Sequence, residues 1–421
     1  MNLPRILFAS LVSASALFGN LRAARAPEHW GPDPFLPLTA ERIAKLPAEQ
    51  RPAWENYWKA SQELAAKIPV AAAPEFSPMQ PLNAPPRGGA HTKGLRLDAP
   101  AQWYASKDAQ TIAERVVAAQ TAAGAWNKGN DYTQPAKPSS GEGGGWSRGT
   151  FDNDATIYEL RFLASVQHAL ADEAASSALR ESLRASFLRG AAYLFAAQYP
   201  NGGFPQVYPL MGGYHDGVTY NDDGMVHALA LLRDIAERRP ELDFVPPETA
   251  FKARERFALG LDCILKTQLR GPHGELTVWC QQYDALTLRP QAARNFEPIA
   301  DVAHESGPIV ALLMKEKPEK KIVAAVEGAI AWFRAAALHD VAWVRDPATS
   351  RGELIARPGA PLLWARFYLP GTFTPIFGDR DRTIHFDVAE ISAERRAGYA
   401  WYGTWPAAVL EEYEVWRKRA R

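Results

Sequence analysis

The chain has 421 residues, 47% of them hydrophobic and 22% charged, the balance of a folded globular protein and not of a disordered tail. Its 47 Lys and Arg match its 47 Asp and Glu, so no basic excess marks it for nucleic acid. Two cysteines, Cys263 and Cys280, are too few for a disulfide scaffold or a cysteine-based zinc cluster.

Residues 1–26 read as an export signal. Arg5 supplies the positive start, and the apolar run of residues 6–18 is shorter than the roughly 20 residues needed to span a bilayer. Ala24-Arg25-Ala26 has the small-x-small form of a cleavage site. No other segment is apolar enough to cross a membrane, so the expectation is a secreted or periplasmic monomer with no membrane partner. In that compartment Cys263 and Cys280 either bridge or stay as two buried thiols, and the spacing leaves both open. Residues 27–94 divide in two. A helical stretch over 37–68 carries Leu46, Trp54, Trp58 and Leu64 in step, and a Pro-, Ala- and Gly-rich strap follows over 70–94.

The remainder, 95–421, is the catalytic body, and it repeats one design. An amphipathic helix ends in Gln, a glycine turn with an aromatic follows, and a polar loop leads to an acidic residue and another helix. Gln120, Gly124, Trp126 and Asp152 mark the first copy. Gln198, Gly202, Phe204 and Asp222 mark the second, and Gln268, Gly274, Trp279 and Glu305 the third. The apolar residues after each acid, such as Ile157, Leu160 and Leu163, keep a helical step. Strand patterns are confined to short runs at 276–279 and 383–386. The predicted fold is therefore all-α: an (α/α) toroid of about three helical-hairpin repeats, with long loops forming a cleft at one end.

The loops carry the chemistry. Asp152-Asn153-Asp154 and Asn221-Asp222-Asp223 offer oxygen ligands of the kind calcium takes, although an acid just before a helix also serves as its cap. Arg294, Arg366 and Arg380 lie in loops, where a planar guanidinium suits carboxylate recognition. Such arginines beside a cation site point to an acidic sugar. Trp126, Trp146, Tyr208, Trp279 and Trp401 are candidate stacking platforms for its rings.

Five motifs resemble the pectate lyases of polysaccharide lyase family 10, over roughly residues 96–403. They are Gln120-Thr-Ala-Ala-Gly-Ala-Trp-Asn-Lys128, Thr150-Phe-Asp-Asn153, Tyr199-Pro-Asn-Gly-Gly-Phe-Pro-Gln206, Tyr220-Asn-Asp-Asp223 and Glu394-Arg-Arg-Ala-Gly-Tyr-Ala-Trp-Tyr-Gly403. The resemblance implies an (α/α) toroid and calcium-dependent β-elimination on α-1,4-polygalacturonate. It implies metal ligands at Asp152, Asn153, Asp222 and Asp223, proton abstraction from C5 by Arg294, and substrate binding by Arg366, Arg380, Lys128, Trp146 and Tyr208. An arginine base is awkward because its pKa exceeds about 12. Neighbouring cations that disfavour its charged form would ease this, with activity rising into alkaline pH. Two rivals remain at this level: an (α/α) glycoside hydrolase using Asp152 and Asp222 as acid and base, and a non-catalytic acidic-glycan binding protein.

Overall fold

The computed structural model describes residues 28–29, 35–68, 92–134, 148–171 and 176–419. The export signal, most of the strap (69–91), and Trp146 with its glycine run lie outside the described residues. Helices α1 (Ala40–Ala44) and α2 (Arg51–Lys67) form the N-terminal region. Then come α3 (Lys107–Ala118), α4 (Ile157–Ala169), α5 (Ser177–Ala197), α6 (Gly224–Ala236), α7 (Pro247–Thr267), α8 (Ala303–Leu313) and α9 (Lys320–Ala336). The chain closes with α10 (Ala393–Gly398) and α11 (Pro406–Arg419).

These helices form two concentric arcs. The inner arc runs α4, α6, α8, α11, and α3, α5, α7 and α9 back it from outside. Composition decides which is which. Ten of the 13 residues of α6 are buried, as a helix apolar on every side requires, against seven of the 21 in α7. The arrangement is the predicted all-α toroid. The strands are short: the largest sheet pairs Glu28–His29, Thr383–His385, Pro375–Gly378, Phe367–Tyr368 and Asp301–Val302 in that order, all antiparallel.

The repeated glutamines latch the arcs together. The amide of Gln120 donates to Gly124 O at 2.8 Å in its own turn and to Ser186 O at 2.9 Å in α5. Gln198 does the same with Gly202 O (3.0 Å) and Arg256 O (2.9 Å), and Gln268 with Thr277 O and Ala325 O (both 2.8 Å). One side chain thus satisfies a carbonyl of its own turn and one of the next outer helix. The turn must be glycine where the approach is closest. Gly202 has φ +94°, and a Cβ there would stand 2.1 Å from Leu259 O.

The N-terminal region is more than a loose strap. Trp54 and Tyr57 are buried, with Trp54 5.3 Å from the Tyr199 ring, and the Tyr57 hydroxyl donates to Ala197 O at 2.9 Å. Leu210 N donates to Ser61 Oγ at 2.8 Å, and Arg42 pairs with Asp284 at 2.6 Å. Cys263 and Cys280 are both free and buried, which resolves the choice left open above: no bridge joins them. Burial pushes their thiols up, to about 12 and about 11.

Candidate active site

The inner helices α4, α6 and α8 all begin at the same end of the toroid, and the acidic turns stand there. Two of these turns are built alike. Phe151-Asp152-Asn153-Asp154 precedes α4, and Tyr220-Asn221-Asp222-Asp223 precedes α6. Asn153 (φ 50°), Asp154 (66°), Asp222 (51°) and Asp223 (58°) all take left-handed backbone, costly for residues with a Cβ. Asp152 N donates to Thr150 Oγ1 (3.0 Å) and Asn221 N to Thr219 Oγ1 (3.3 Å), fixing both turns the same way.

A second repeated position supplies the partners. Two residues after the buried aromatics Trp126, Phe204, Trp279 and Trp364 come Lys128, Gln206, Gln281 and Arg366. All four donate inward. Lys128 pairs with Asp152 Oδ2, and Gln206 Nε2 donates to Asp152 Oδ1 at 2.9 Å. Gln281 Nε2 donates to Asn221 Oδ1 at 2.7 Å and to Glu305 Oε1 at 2.9 Å, and Arg366 pairs with Glu305. The backbone follows the same register: Phe151 N donates to Gln206 O, Tyr220 N to Gln281 O and Ala303 N to Arg366 O.

Asp152 and Asp222 stand close enough to share a hydrogen bond, and their fates differ. Burial and then the Asp152 charge push Asp222 up to about 7. Burial also raises Asp152, but Lys128, the bond to Asp222 and the charge of Arg294 hold it below its ordinary value. Asn153 Nδ2 donates to Asp152 Oδ2 (3.1 Å) and orients it. Asp223 turns away from the pair: burial, opposed mainly by His304, lifts it to about 6, and its Oδ1 is buried without a partner. Among the described residues no three His, Cys, Asp or Glu side chains converge as a metal cluster. Among the described residues Asp222 nevertheless has no salt-bridge partner, only the more distant charges of Arg366 and Arg294, and the oxygens of the pair are of the hard type. The pair fits a calcium ion that draws the rest of its ligands from elsewhere.

The opposite wall is basic. Arg294, 37% exposed, sits on Glu297 through Nε (2.8 Å) and Nη2, leaving Nη1 free of hydrogen bonds among the described residues. Tyr399 donates to Glu297 Oε1 (2.8 Å) and lies under both Arg366 (4.6 Å) and Arg294 (5.9 Å). Phe296 carries Arg395 (4.3 Å), Arg294 (4.9 Å) and Arg380 (5.6 Å). Arg380 and Arg395 share Glu394, which they hold at about 2 against the effect of burial. Four guanidiniums meet three carboxylates, so the wall keeps one positive charge.

Three sequence-based expectations need correction. Tyr208 is 2% exposed and packs against Tyr57 and Tyr193, so it offers no face to a sugar. Trp126, Trp279 and Trp401 are likewise core. Their indoles donate to Val116 O, Ile264 O and Arg395 O, which lets tryptophan be buried at full satisfaction. Tyr214 is half-buried, stacked on His215 at 3.9 Å, and senses the charges of Arg294, Asp152 and Asp222, which puts it beside the site. Third, neighbouring cations do not depress Arg294. Burial does lower it, but Glu297 outweighs that and holds its pKa above the ordinary value. Gln206, Gln281, Glu297 and Tyr399 went unnoticed as site residues; the fixed offset after each glycine-turn aromatic was the signal for the first two.

Residues 120–410 match the family described as pectic acid lyase. A solved family 10 polysaccharide lyase from Cellvibrio cellulosa is 31% identical, with a TM-score of 0.65 over 78% of this chain and 99% of that one. A point mutant of the family 10 lyase from the same organism, solved with trigalacturonic acid, is 32% identical, with a TM-score of 0.66 over 76% of this chain and 98% of that one. No curated protein matches the chain. The family match runs from the first glutamine latch into α11, taking in both acidic turns and the arginine wall, and the chain therefore belongs to the pectic acid lyases as a family 10 polysaccharide lyase acting on pectate.

Proposed function

We propose that the chain cleaves α-1,4-polygalacturonate by calcium-dependent β-elimination, with Arg294 taking the C5 proton. The observation that carries this reading is the hydrogen-bonded Asp152–Asp222 pair set across from Arg294, whose charge both carboxylates sense. Asp152 and Asp222 would hold the calcium, with Asn153 and Lys128 orienting and neutralising Asp152. When bound, calcium supplies positive charge for the uronate carboxylate, next to which C5–H becomes acidic. Arg366 and Arg380 add fixed charge on the same side, where negative charge builds as the proton leaves. The C5–H electron pair then forms the C4–C5 double bond, and O4 departs with its own pair and takes up a proton.

Glu297 pins two nitrogens of Arg294 and leaves Nη1 free of hydrogen bonds among the described residues, so orientation is well served. Protonation is not: Glu297 favours the charged form. Only the small neutral fraction can act as base, so the rate climbs with pH through the whole accessible alkaline range. The hydrolase reading fits less well. Its two carboxyls must stand about 5–9.5 Å apart across the bond, whereas these two share a hydrogen bond.

The test follows ultraviolet absorbance of the unsaturated product on polygalacturonate, with calcium or chelator, from pH 7 to 10.5. Absorbance should appear only with calcium, and Arg294→Ala should lower kcat by about 10²–10⁴. Saturated products, or a flat pH profile with an active Arg294→Ala enzyme, would overturn the reading.

A further inference from the structure

Glu305 is fully buried, carries a charge, and has no part in the chemistry just described. Its Oε1 accepts from Arg366 Nη2, from Gln281 Nε2 at 2.9 Å, and lies 3.3 Å from His304 Nδ1. Burial raises its carboxyl, but the Arg366 charge dominates and holds it far below the ordinary value, so it is an anion. Gln281 continues the chain through Asn221 Oδ1 (2.7 Å), and Asn221 Nδ2 donates to Asp222 Oδ2 (2.7 Å). With Asp222 ionised, Asn221 gives its amide N–H to Asp222, so its carbonyl faces Gln281, whose N–H groups then serve both Asn221 and Glu305.

The grip on Arg366 differs from that on Arg294. Glu297 takes Arg294 through two nitrogens, while Glu305 takes Arg366 through Nη2 alone. Arg366 Nε and Glu305 Oε2 are both buried with no partner. With its side chain 5% exposed and its guanidinium 4.6 Å over the Tyr399 ring, Arg366 has little freedom except about that single bond. Removing the Glu305 charge would leave a buried guanidinium uncompensated, free to leave the ring face for any other carboxylate.

We propose that Glu305 and Gln281 are positioning residues. They tie Arg366 to Asp222 through one buried hydrogen-bonded chain and so set the spacing between the guanidinium and the carboxylate that flank the substrate's uronate. This rests on the reading of Arg366 as a substrate-binding residue. It gives a role to two positions that the repeat provides but the elimination itself does not use. It also explains why the third repeat has Glu at the place where the second has Asp222: its partner across the chain is an arginine, not a second carboxylate.

The experiment compares wild type, Glu305→Gln and Gln281→Met, with folding checked by circular dichroism and melting temperature. Both variants should keep the fold and lose about tenfold or more in kcat/KM, the worth of one charge-assisted hydrogen bond. The decisive arm is chemical rescue. Low-millimolar guanidinium should restore activity several-fold to Arg366→Ala, where Glu305 can seat the added cation, and should fail with Arg366→Ala/Glu305→Gln. Equal rescue of both, or Glu305→Gln within twofold of wild type, would overturn the positioning role. A wild-type chain inert on polygalacturonate would instead defeat the functional reading beneath it.

Discussion

Asp222 shows how one atom-scale contact sets a measurable property of the enzyme. Its folded pKa of about 7 lies above the ordinary aspartate value because of burial and the Asp152 charge. The folded state therefore binds this proton more tightly than the unfolded chain. By linkage, the stability from this group is fully present below the unfolded aspartate pKa of about 3.9 and is lost as pH rises through about 7. If calcium binds this pair as proposed, it should reverse the loss by occupying the place the proton leaves. Melting curves from pH 4 to 8.5 should show metal-free protein weakening toward neutrality, calcium restoring it above pH 7, and Asp222→Asn flattening both trends. Calcium affinity that does not change between pH 5 and 7 would contradict this account.

Among elements, the glutamine latches do the joining. Each stands at or just past the end of an outer helix, satisfies a carbonyl of its own turn and adds a second bond to a carbonyl inside the next outer helix, so its loss strands the turn carbonyl. Gln198→Leu leaves Gly202 O without its donor in a buried seam and Arg256 O with its helix bond alone. The expected cost is roughly 1–3 kcal/mol, the penalty of one unsatisfied buried acceptor, read from urea unfolding. The catalytic turns should stay intact, because they are held by Thr150 and Thr219 and by the backbone bonds to Gln206 and Gln281. A loss below about 0.5 kcal/mol, the range of ordinary surface changes, would show that water replaces the amide.

Across the whole molecule, the N-terminal region and the toroid act as one body. Trp54 and Tyr57 seat against Tyr199 and Tyr208, and Ser61 holds the backbone at Leu210, at the start of the loop that presents Tyr214. Deleting residues 1–68 removes two buried aromatics, each worth about 3–5 kcal/mol, so the melting temperature should fall by roughly 10 °C or more. The truncated enzyme should also bind oligogalacturonate less well, because the Tyr214 loop loses its support. Calorimetry on the truncated chain checks the first, and KM the second; an unchanged melting point would mean that the region packs without stabilising.

The sequence by itself determined whatever recurs as the same residue type. Gln120, Gln198 and Gln268 mark the latches, the helical periodicity marks the two arcs, and the acidic turns and loop arginines mark the site end. It could not say which aromatics face a ligand, since a tryptophan beside a glycine reads alike whether its indole meets a sugar or a backbone carbonyl. Nor could it show that Lys128, Gln206, Gln281 and Arg366 are one position, because three different side chains fill it. Only the tertiary structure decided these points. Closing the toroid brings neighbouring repeats within hydrogen-bond reach, and it is the neighbour, not the local sequence, that fixes whether a donor there must be charged or neutral.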